Sequence, residues 1–398
     1  MPRVHRAAWL LPIAGPPIRH GWVAVERGRI VDVGADPGGA ASVGDSLAIL
    51  PGLINAHTHL ELSWMAGRVP PSTSMGEWIR AMMAQRRGAS PPADVQRQAA
   101  AAAIEDARAR GTVAFGDIGN TLMAADILAD AGVPAVLFHE LIGFGPADVD
   151  GRATEAARSV IEKVRPPVLP GLAPHAPYSV SPDLFRAIAR VASAQSLPAS
   201  VHLGESQDEV EFLATGGGEI ATTLKHLGAW NPEWLPPGVD PAAYLDSLGV
   251  LTPGLLVVHA TQLGPSALAR LAARGCVIVS CPRSNRWVGA GDPPIDDFYA
   301  SGAAVVFGTD SLASAPDLDM FAELAAARRV SSVSAARLLE SATLASARAL
   351  GLDADFGSIA IGKRAELLAV RVPAEVDDVE EYLVSRIDSS TVQWLKTE

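Results

Sequence analysis

Cysteine is nearly missing from this chain of 398 residues, and the two that occur, Cys276 and Cys281, lie close together. On one extended strand they would stand about 17 Å apart on opposite faces, so no disulfide framework is expected and a reducing cytosol suits the chain. Long apolar runs are missing as well: nothing approaches the ~18 residues that a membrane-spanning helix needs. The opening MPRVHRAAWLLPIAG imitates a secretory leader, with Arg3 and Arg6 ahead of an apolar stretch, but Pro12 and the Gly15-Pro16-Pro17 turn interrupt it. A cytoplasmic location without membrane partners is the expectation. Positive charge is in short supply, with 32 Lys and Arg against 44 Asp and Glu and a net charge of -12. That balance argues against a general nucleic-acid binder, whose affinity comes from neutralising phosphates. Internal repeats and low-complexity blocks are not evident.

What remains is ordinary globular composition, 48% hydrophobic and 19% charged, with 36 Gly and 30 Pro marking frequent turns. WLLPIAG and GWVAVERGRIVDVGA read as strands between Gly-rich breaks. From Leu50 the texture changes to eight short apolar runs: LPGLINAH, GTVAFGDI, PAVLFHEL, PVLPGLAP, PASVHLGE, GLLVVHAT, CVIVSCP and AAVVFGTD. Stretches of helical period separate them, which is the α/β pattern of a (β/α)8 TIM barrel. Helices are predicted in MGEWIRAMMAQRR, ADVQRQAAAAAIEDARARG, SPDLFRAIARVASAQ, GPSALARLAARG and SAARLLESATLASARALG. Ser181, Ser266 and Ser334 stand where N-caps are expected, and Gly111 and Gly351 where helices end.

The Pro/Gly-rich stretch 230–253 is too long for a plain connection, so a rim insertion is expected over about 227–254, where it could act as a lid. Strands return in FGSIAIGKRAELLAVRVP and SSTVQWLKTE. Neither chain end could bury its apolar face alone, so 1–49 and 353–398 are expected to form one small β-sandwich flanking a barrel over 50–352.

Asn55-Ala56-His57-Thr58-His59 closes the first barrel strand, and side chains two apart on a strand point the same way, so His57 and His59 could grip one cation. An HxH pair alone is equally a pair of satisfied surface histidines. The placing of the others strengthens the metal reading: His202 ends strand five, His259 ends strand six and Asp310 ends strand eight. In such a barrel these ends converge on one face, where active sites are found. His5, His20, His139 and His226 fall outside that set.

PGLINAHTH, HLGES, VVHA, CPRSN and GTDS, followed by GSIAIGKRAELLAV, resemble the amidohydrolase superfamily over about residues 20–370. The resemblance is to its subtype of triazine, guanine and adenosine-derivative aminohydrolases. It implies a barrel with a flanking β-sandwich, His57, His59, His202 and Asp310 as ligands of one divalent metal, Glu205 as proton shuttle, and His259 polarising water or substrate. Three imidazoles and a carboxylate suit Zn²⁺, with Fe²⁺ a rival, and leave a position for water. Glu205 is alternatively a carboxylate favoured by a helix start. Binuclear relatives carry a carboxylated lysine at strand four. Here the only lysines are Lys163, Lys225, Lys363 and Lys396, and strand four ends in Ala173-Pro174-His175-Ala176-Pro177-Tyr178, so one metal is expected. His175 is assigned to substrate contact, or else is a hydrogen-bonded loop histidine.

A nucleophilic water beside a proton shuttle favours attack on an electron-poor C–NH₂ carbon of a heteroaromatic ring, releasing ammonia. The zinc deaminases with a PCxxC pair are excluded, because Cys276 and Cys281 have the wrong spacing and His59-Leu60-Glu61 offers the other half by accident. HTHLELS, EWIRAMM, CPRSNRWVG and GTDSLAS are most similar to the bacterial aminodeoxyfutalosine deaminases, whose substrate joins an adenine nucleoside to a benzoate. Arg283 could hold such a carboxylate, whereas Arg286 reads as a solvated surface arginine. Trp78 could stack on a purine or belong to the core. Ser280 stands where many relatives of this subtype have histidine, which clouds transfer of their specificity for S-adenosylhomocysteine, methylthioadenosine or guanine. A hydrolase acting on a chloro-heterocycle or cyclic amide could use the same metal site, and a catalytically silent oligomeric scaffold is the third reading. A small-molecule substrate is the expected partner, with a homodimer implied by resemblance alone.

Overall fold

Each of the eight apolar runs forms a strand: β1 (Leu53–Thr58), β2 (Thr112–Gly119), β3 (Ala135–Leu141), β4 (Val168–Pro174), β5 (Ser200–Leu203), β6 (Leu256–His259), β7 (Val277–Ser280) and β8 (Ala304–Phe307). The computed structural model describes residues 1–35, 46–145, 148–373, 375–385 and 387–396. The strands lie in two parallel four-stranded sheets, ordered β4-β3-β2-β1 and β5-β6-β7-β8. The sheets meet at both edges. Leu172 of β4 bridges Ala199 in parallel, and the amides of Thr309 and Asp310 both donate to the His57 carbonyl (3.1 and 3.0 Å).

Alternation along the strands separates two cores. Leu256, Val258, Val277, Val279 and Val306 pack with Ile54, Val136 and Phe138 in a cluster that Leu350 and Phe356 also join. The residues between them, Val257, Ile278, Val305 and Phe307, face the helices and pack with Leu184, Phe185, Leu268 and Leu324.

The helices fall where predicted, with instructive exceptions. Ser181 caps its helix by accepting from the Leu184 amide (3.2 Å), but Gly264 takes the cap expected of Ser266 because Pro265 already occupies the first turn. The predicted helix from Ser334 is two helices, Ala335–Ser341 and Leu344–Ala349. Between them the Ala342 carbonyl accepts from the Ile54 amide (2.8 Å) and Thr343 leaves helical geometry, its hydroxyl bonding back to the Leu339 carbonyl (2.5 Å).

At the chain ends a three-stranded antiparallel sheet (Arg3–Arg6, Gly21–Glu26, Arg29–Ala35) stands beside a five-stranded one (Gln393–Trp394, Leu367–Arg371, Leu47–Pro51, Trp9–Leu10, Ile18–Arg19). Val23, Val25 and Ile30 share a cluster with Leu10, Ile49 and Leu367. The predicted strand content after residue 355 is only partly present: Leu367–Arg371 and Gln393–Trp394 are strands, FGSIAIGKR is turns, and VEEYLVS is the helix Val379–Ser385. Residues 36–45 and 397–398 of the predicted terminal segments lie outside the described residues.

Within the predicted insertion, Trp234 stacks on Phe212 (centroids 4.5 Å, planes 5° apart) and lies 5.3 Å from Phe144, while Pro241–Ser247 is a short helix. Among the described residues no helix is long and apolar enough to cross a membrane.

Candidate metal centre

The carboxyl ends of the parallel strands carry the site. His57 lies on β1 and His59 immediately after it; His202 is on β5, His259 ends β6, and Asp310 follows β8. Gly308 makes this convergence possible: a Cβ there would sit 2.7–2.8 Å from the backbone and Cβ of His57. His259 and Asp310 hold left-handed backbone (φ 76° and 60°), an unfavourable conformation for side chains of their kind. For Asp310 it is held by the amide bond to the His57 carbonyl and by the Thr58 hydroxyl, which donates to the Asp310 carbonyl (2.9 Å).

Three separations define the centre. His57 Nε2 lies 3.3 Å from His202 Nε2 and 3.6 Å from Asp310 Oδ1, and His59 Nε2 lies 3.4 Å from the same oxygen. Donors bound tetrahedrally to one ion at metal–ligand distances of ~2.0–2.2 Å stand roughly 3.3–3.6 Å apart, so the arrangement fits a divalent cation. The donor chemistry fits as well. His202 Nδ1 donates to the His175 carbonyl (3.0 Å), which leaves the Nε2 lone pair facing the centre. Burial lowers the His59 imidazole to about 3 and holds His202 well below its usual value, so both offer neutral nitrogen donors. Burial works against ionisation of Asp310, but the imidazoles of His57 and His59 beside its Oδ1 outweigh it and hold the carboxyl well below its usual range. Asp310 Oδ2 accepts from Ser284 (2.6 Å) and Ser314 (2.9 Å), turning Oδ1 towards the imidazoles.

Glu205 and His259 stand beside this cluster, with Glu205 Oε1 3.5 Å from His259 Nε2. Burial pushes the Glu205 carboxyl well up, and the charges of Asp310 and Glu209 add to the effect. The Asn285 amide donates to His259 Nδ1 (3.1 Å), so the neutral ring carries its proton on Nε2, towards Glu205. Ser284 and Asn285 of the CPRSN motif therefore orient Asp310 and His259. The turn after β5 is held by Glu209, whose carboxylate accepts from the amides of Gly204 (2.9 Å) and Glu205 (3.1 Å).

His59, His202, Glu205, His259 and Asp310 lie at one end of a cavity of about 530 Å³. Its walls are largely apolar, with Met75, Trp78, Ile79, Met82, Ile142, Phe144 and Leu224 among them. Trp78 both lines it and packs against the apolar clusters beside it, its indole donating to the Ala313 carbonyl (3.1 Å). His175 lines it too, with Nδ1 2.5 Å from the Ser179 hydroxyl. The expectation for Arg283 is corrected: it does not line the cavity, and its guanidinium is bound to Glu323 (2.6 Å) and Asp317 (2.6 Å). Arg286 pairs with Asp292 at the surface.

The sequence reading missed Glu140, Asn120 and Arg86, all of which line the cavity, and left Glu61 without a role. Glu140 Oε2 accepts from the Asn120 amide (2.9 Å), its other oxygen is buried without a hydrogen-bond partner, and burial pushes the carboxyl up to about 8. Glu61 accepts from the backbone amides of Asn120 and Thr121 (3.0 Å each). Glu140 was findable, since it lies near the end of β3 as the histidines lie at the ends of theirs. Arg86 carries no local signal.

Comparison with known proteins agrees with this architecture. The model of the Amidohydrolase family matches residues 48–389. The aminodeoxyfutalosine deaminase of Deinococcus radiodurans is 33% identical over 71% of this chain and 68% of its own. The 5-methylthioadenosine/S-adenosylhomocysteine deaminase of Moorella thermoacetica is 29% identical over 96% of this chain and 90% of its own. Among solved structures, an adenosine deaminase from Xanthomonas campestris with bound zinc superposes with a TM-score of 0.81 at 26% identity, covering 99% of this chain and 91% of that one. Helicobacter pylori aminofutalosine deaminase reaches 0.83 at 22% identity, covering 100% and 99%, and speaks to the fold alone. With the match running through nearly the whole chain and the histidine–carboxylate centre at its strand ends, this chain belongs to the amidohydrolase family and is a hydrolase.

Proposed function

We propose that the protein hydrolytically deaminates an adenosine derivative, replacing the exocyclic amine of the purine by oxygen and releasing ammonia, with aminodeoxyfutalosine the best substrate and methylthioadenosine or S-adenosylhomocysteine next. The observation that carries this reading is the meeting of His57, His59, His202 and Asp310 within 3.3–3.6 Å contacts, beside the Glu205–His259 pair, in a cavity walled by apolar side chains. The names of the Deinococcus and Moorella relatives support the substrate class. The triazine hydrolases among the structural neighbours are 20–21% identical and support only the fold, so the chlorohydrolase alternative gains nothing from them.

We assign the four side chains to one divalent ion, Zn²⁺ before Fe²⁺, because three imidazoles and one carboxylate suit that borderline cation and no lysine stands at the end of β4. Bound there, the ion supplies the Lewis acidity that makes a water nucleophilic near neutral pH. The remaining chemistry belongs to the chain. Glu205, kept protonated by burial, gives its proton to the ring nitrogen next to the reacting carbon as the water oxygen adds to that carbon. Asp310 takes one proton of the water and passes it to the amine, which leaves as ammonia, while the hydroxyl proton of the adduct returns to Glu205 as the carbonyl forms. His259 holds the adding oxygen by its Nε2 proton, in the orientation Asn285 sets. His175 and Trp78 contact the substrate from the cavity wall.

We read the two parallel sheets, which touch along both edges, as a closed (β/α)8 barrel over about 50–352. The sheets of residues 1–49 and 353–398, which share one apolar cluster, are read as a flanking β-sandwich. The test is direct: zinc-loaded protein incubated with aminodeoxyfutalosine, methylthioadenosine, S-adenosylhomocysteine and adenosine should release one ammonia per adenine absorbance lost. No ammonia from any aminated heterocycle overturns the reading.

A further inference from the structure

One face of the helix Met75–Ala89 lines the cavity: Met75, Trp78, Ile79, Met82, Met83 and Arg86 follow the three-to-four spacing of a single stripe. The start of this helix is anchored near the metal centre. The Gly76 amide donates to Asp208 (3.1 Å), and the Trp78 indole donates to the Ala313 carbonyl, three residues past Asp310. At 1.5 Å of rise per residue, Arg86 lies about 12 Å further along the axis than Trp78. It therefore stands towards the carboxyl end of the helix, and its charge acts on Glu140 near the end of β3 and His175 after β4, the side of the cavity next to His202.

Arg86 is, among the described residues, the one arginine or lysine lining the cavity. Among the described residues its guanidinium has neither an ion pair nor a hydrogen bond, although Arg80 on the same helix pairs with Glu219 (2.5 Å) and Arg283 holds two carboxylates. Met82, Met83, Ile142 and Phe144 make the neighbouring walls apolar. The cavity thus offers a metal centre, largely apolar walls and an unpaired guanidinium whose five donors match a carboxylate in a fixed fork.

We infer that Arg86 binds a carboxylate on the substrate and so sets preference among the adenosine derivatives that the site can deaminate. This rests on the deaminase reading above. Steady-state kinetics of zinc-loaded wild type, Arg86→Gln and Arg86→Lys test it with aminodeoxyfutalosine, which carries a carboxylate, and methylthioadenosine, which does not. A charge-assisted hydrogen bond is worth about 10- to 100-fold. Arg86→Gln should therefore raise KM for the carboxylated substrate by about that factor with kcat little changed, raise KM for methylthioadenosine by a much smaller factor, and weaken the salt dependence of KM for the carboxylated substrate; Arg86→Lys should recover part of the loss. Equal losses on both substrates, or none on either, overturn the inference. If wild type turns over neither compound, the deaminase reading fails separately, and calorimetric binding of the two nucleosides to wild type and Arg86→Gln still decides the role of Arg86: selective loss for the carboxylated one upholds it, equal affinities reject it.

Discussion

Glu205 illustrates how position changes the chemistry of a side chain. On a surface it would be an ordinary carboxylate; here burial, Asp310 and Glu209 keep it protonated beside His259. Glu205→Gln keeps the shape and removes the transferable proton, so metal content should remain at wild-type level while turnover falls about 10³-fold. Near-normal activity with full metal occupancy would show that another group moves the proton. His175 offers a pH test. Burial lowers its pKa from 6.5 to about 4, so in metal-stripped protein the unfolded chain takes up a proton that the folded one refuses. Its contribution to stability is complete above pH 6.5 and declines as pH falls towards 4. Glu140, raised to about 8, acts with the opposite sign between 4.5 and 8, so the measurement must be a difference. The urea midpoint of wild type minus that of His175→Gln should shrink between pH 6.5 and 4.5, and a gap independent of pH would reject burial as the cause.

Among elements, the junction of β1 with the end of β8 decides whether a metal centre forms. His57, Asn55 and Thr58 of β1 all bond to residues 309–310, and the Asn55 amide donates to the Thr309 hydroxyl at 2.7 Å. Gly308 permits this approach, and a methyl group there would meet three His57 atoms at 2.7–2.8 Å, too near for any real Cβ. Gly308→Ala should weaken metal affinity at least tenfold, read as zinc retained after dialysis, while circular dichroism stays that of a folded α/β protein. Undiminished zinc would mean that β1 can shift without disturbing the ligands. The break at Thr343 follows the same logic of competition between elements: the Ala342 carbonyl serves the Ile54 amide, so helix propensity gives way to strand docking. In the 227–254 segment, Trp234 is buried on Phe212 and Phe144. Leu227 and Ala229 line the cavity, so part of this segment belongs to its wall.

Across the whole molecule, four candidate ligands from three distant stretches of chain meet at one point, so an ion held by them would couple metal binding to folding. Chelation should lower Tm, and added Zn²⁺ should raise it again in proportion to the logarithm of its free concentration. A Tm indifferent to zinc would mean that the four groups do not hold an ion. Much of this architecture was legible beforehand. Alternation of apolar runs with helical stretches identified all eight parallel strands, and the strand-end rule located His57, His59, His202, His259 and Asp310, because both signals depend on local periodicity. FGSIAIGKR misled because apolar content alone does not distinguish a strand from a packed turn. Arg283 and Arg86 mark the limit more sharply. Both are arginines near plausible site segments, and only the tertiary structure shows that Glu323 and Asp317 already occupy the first while the second faces the cavity unpaired. Sequence determines which groups are available and which face of an element carries them. Whether a charge is neutralised, how far a carboxyl is desolvated and which donors stand 3.3–3.6 Å apart depend on neighbours tens to hundreds of residues away, and those only packing can supply.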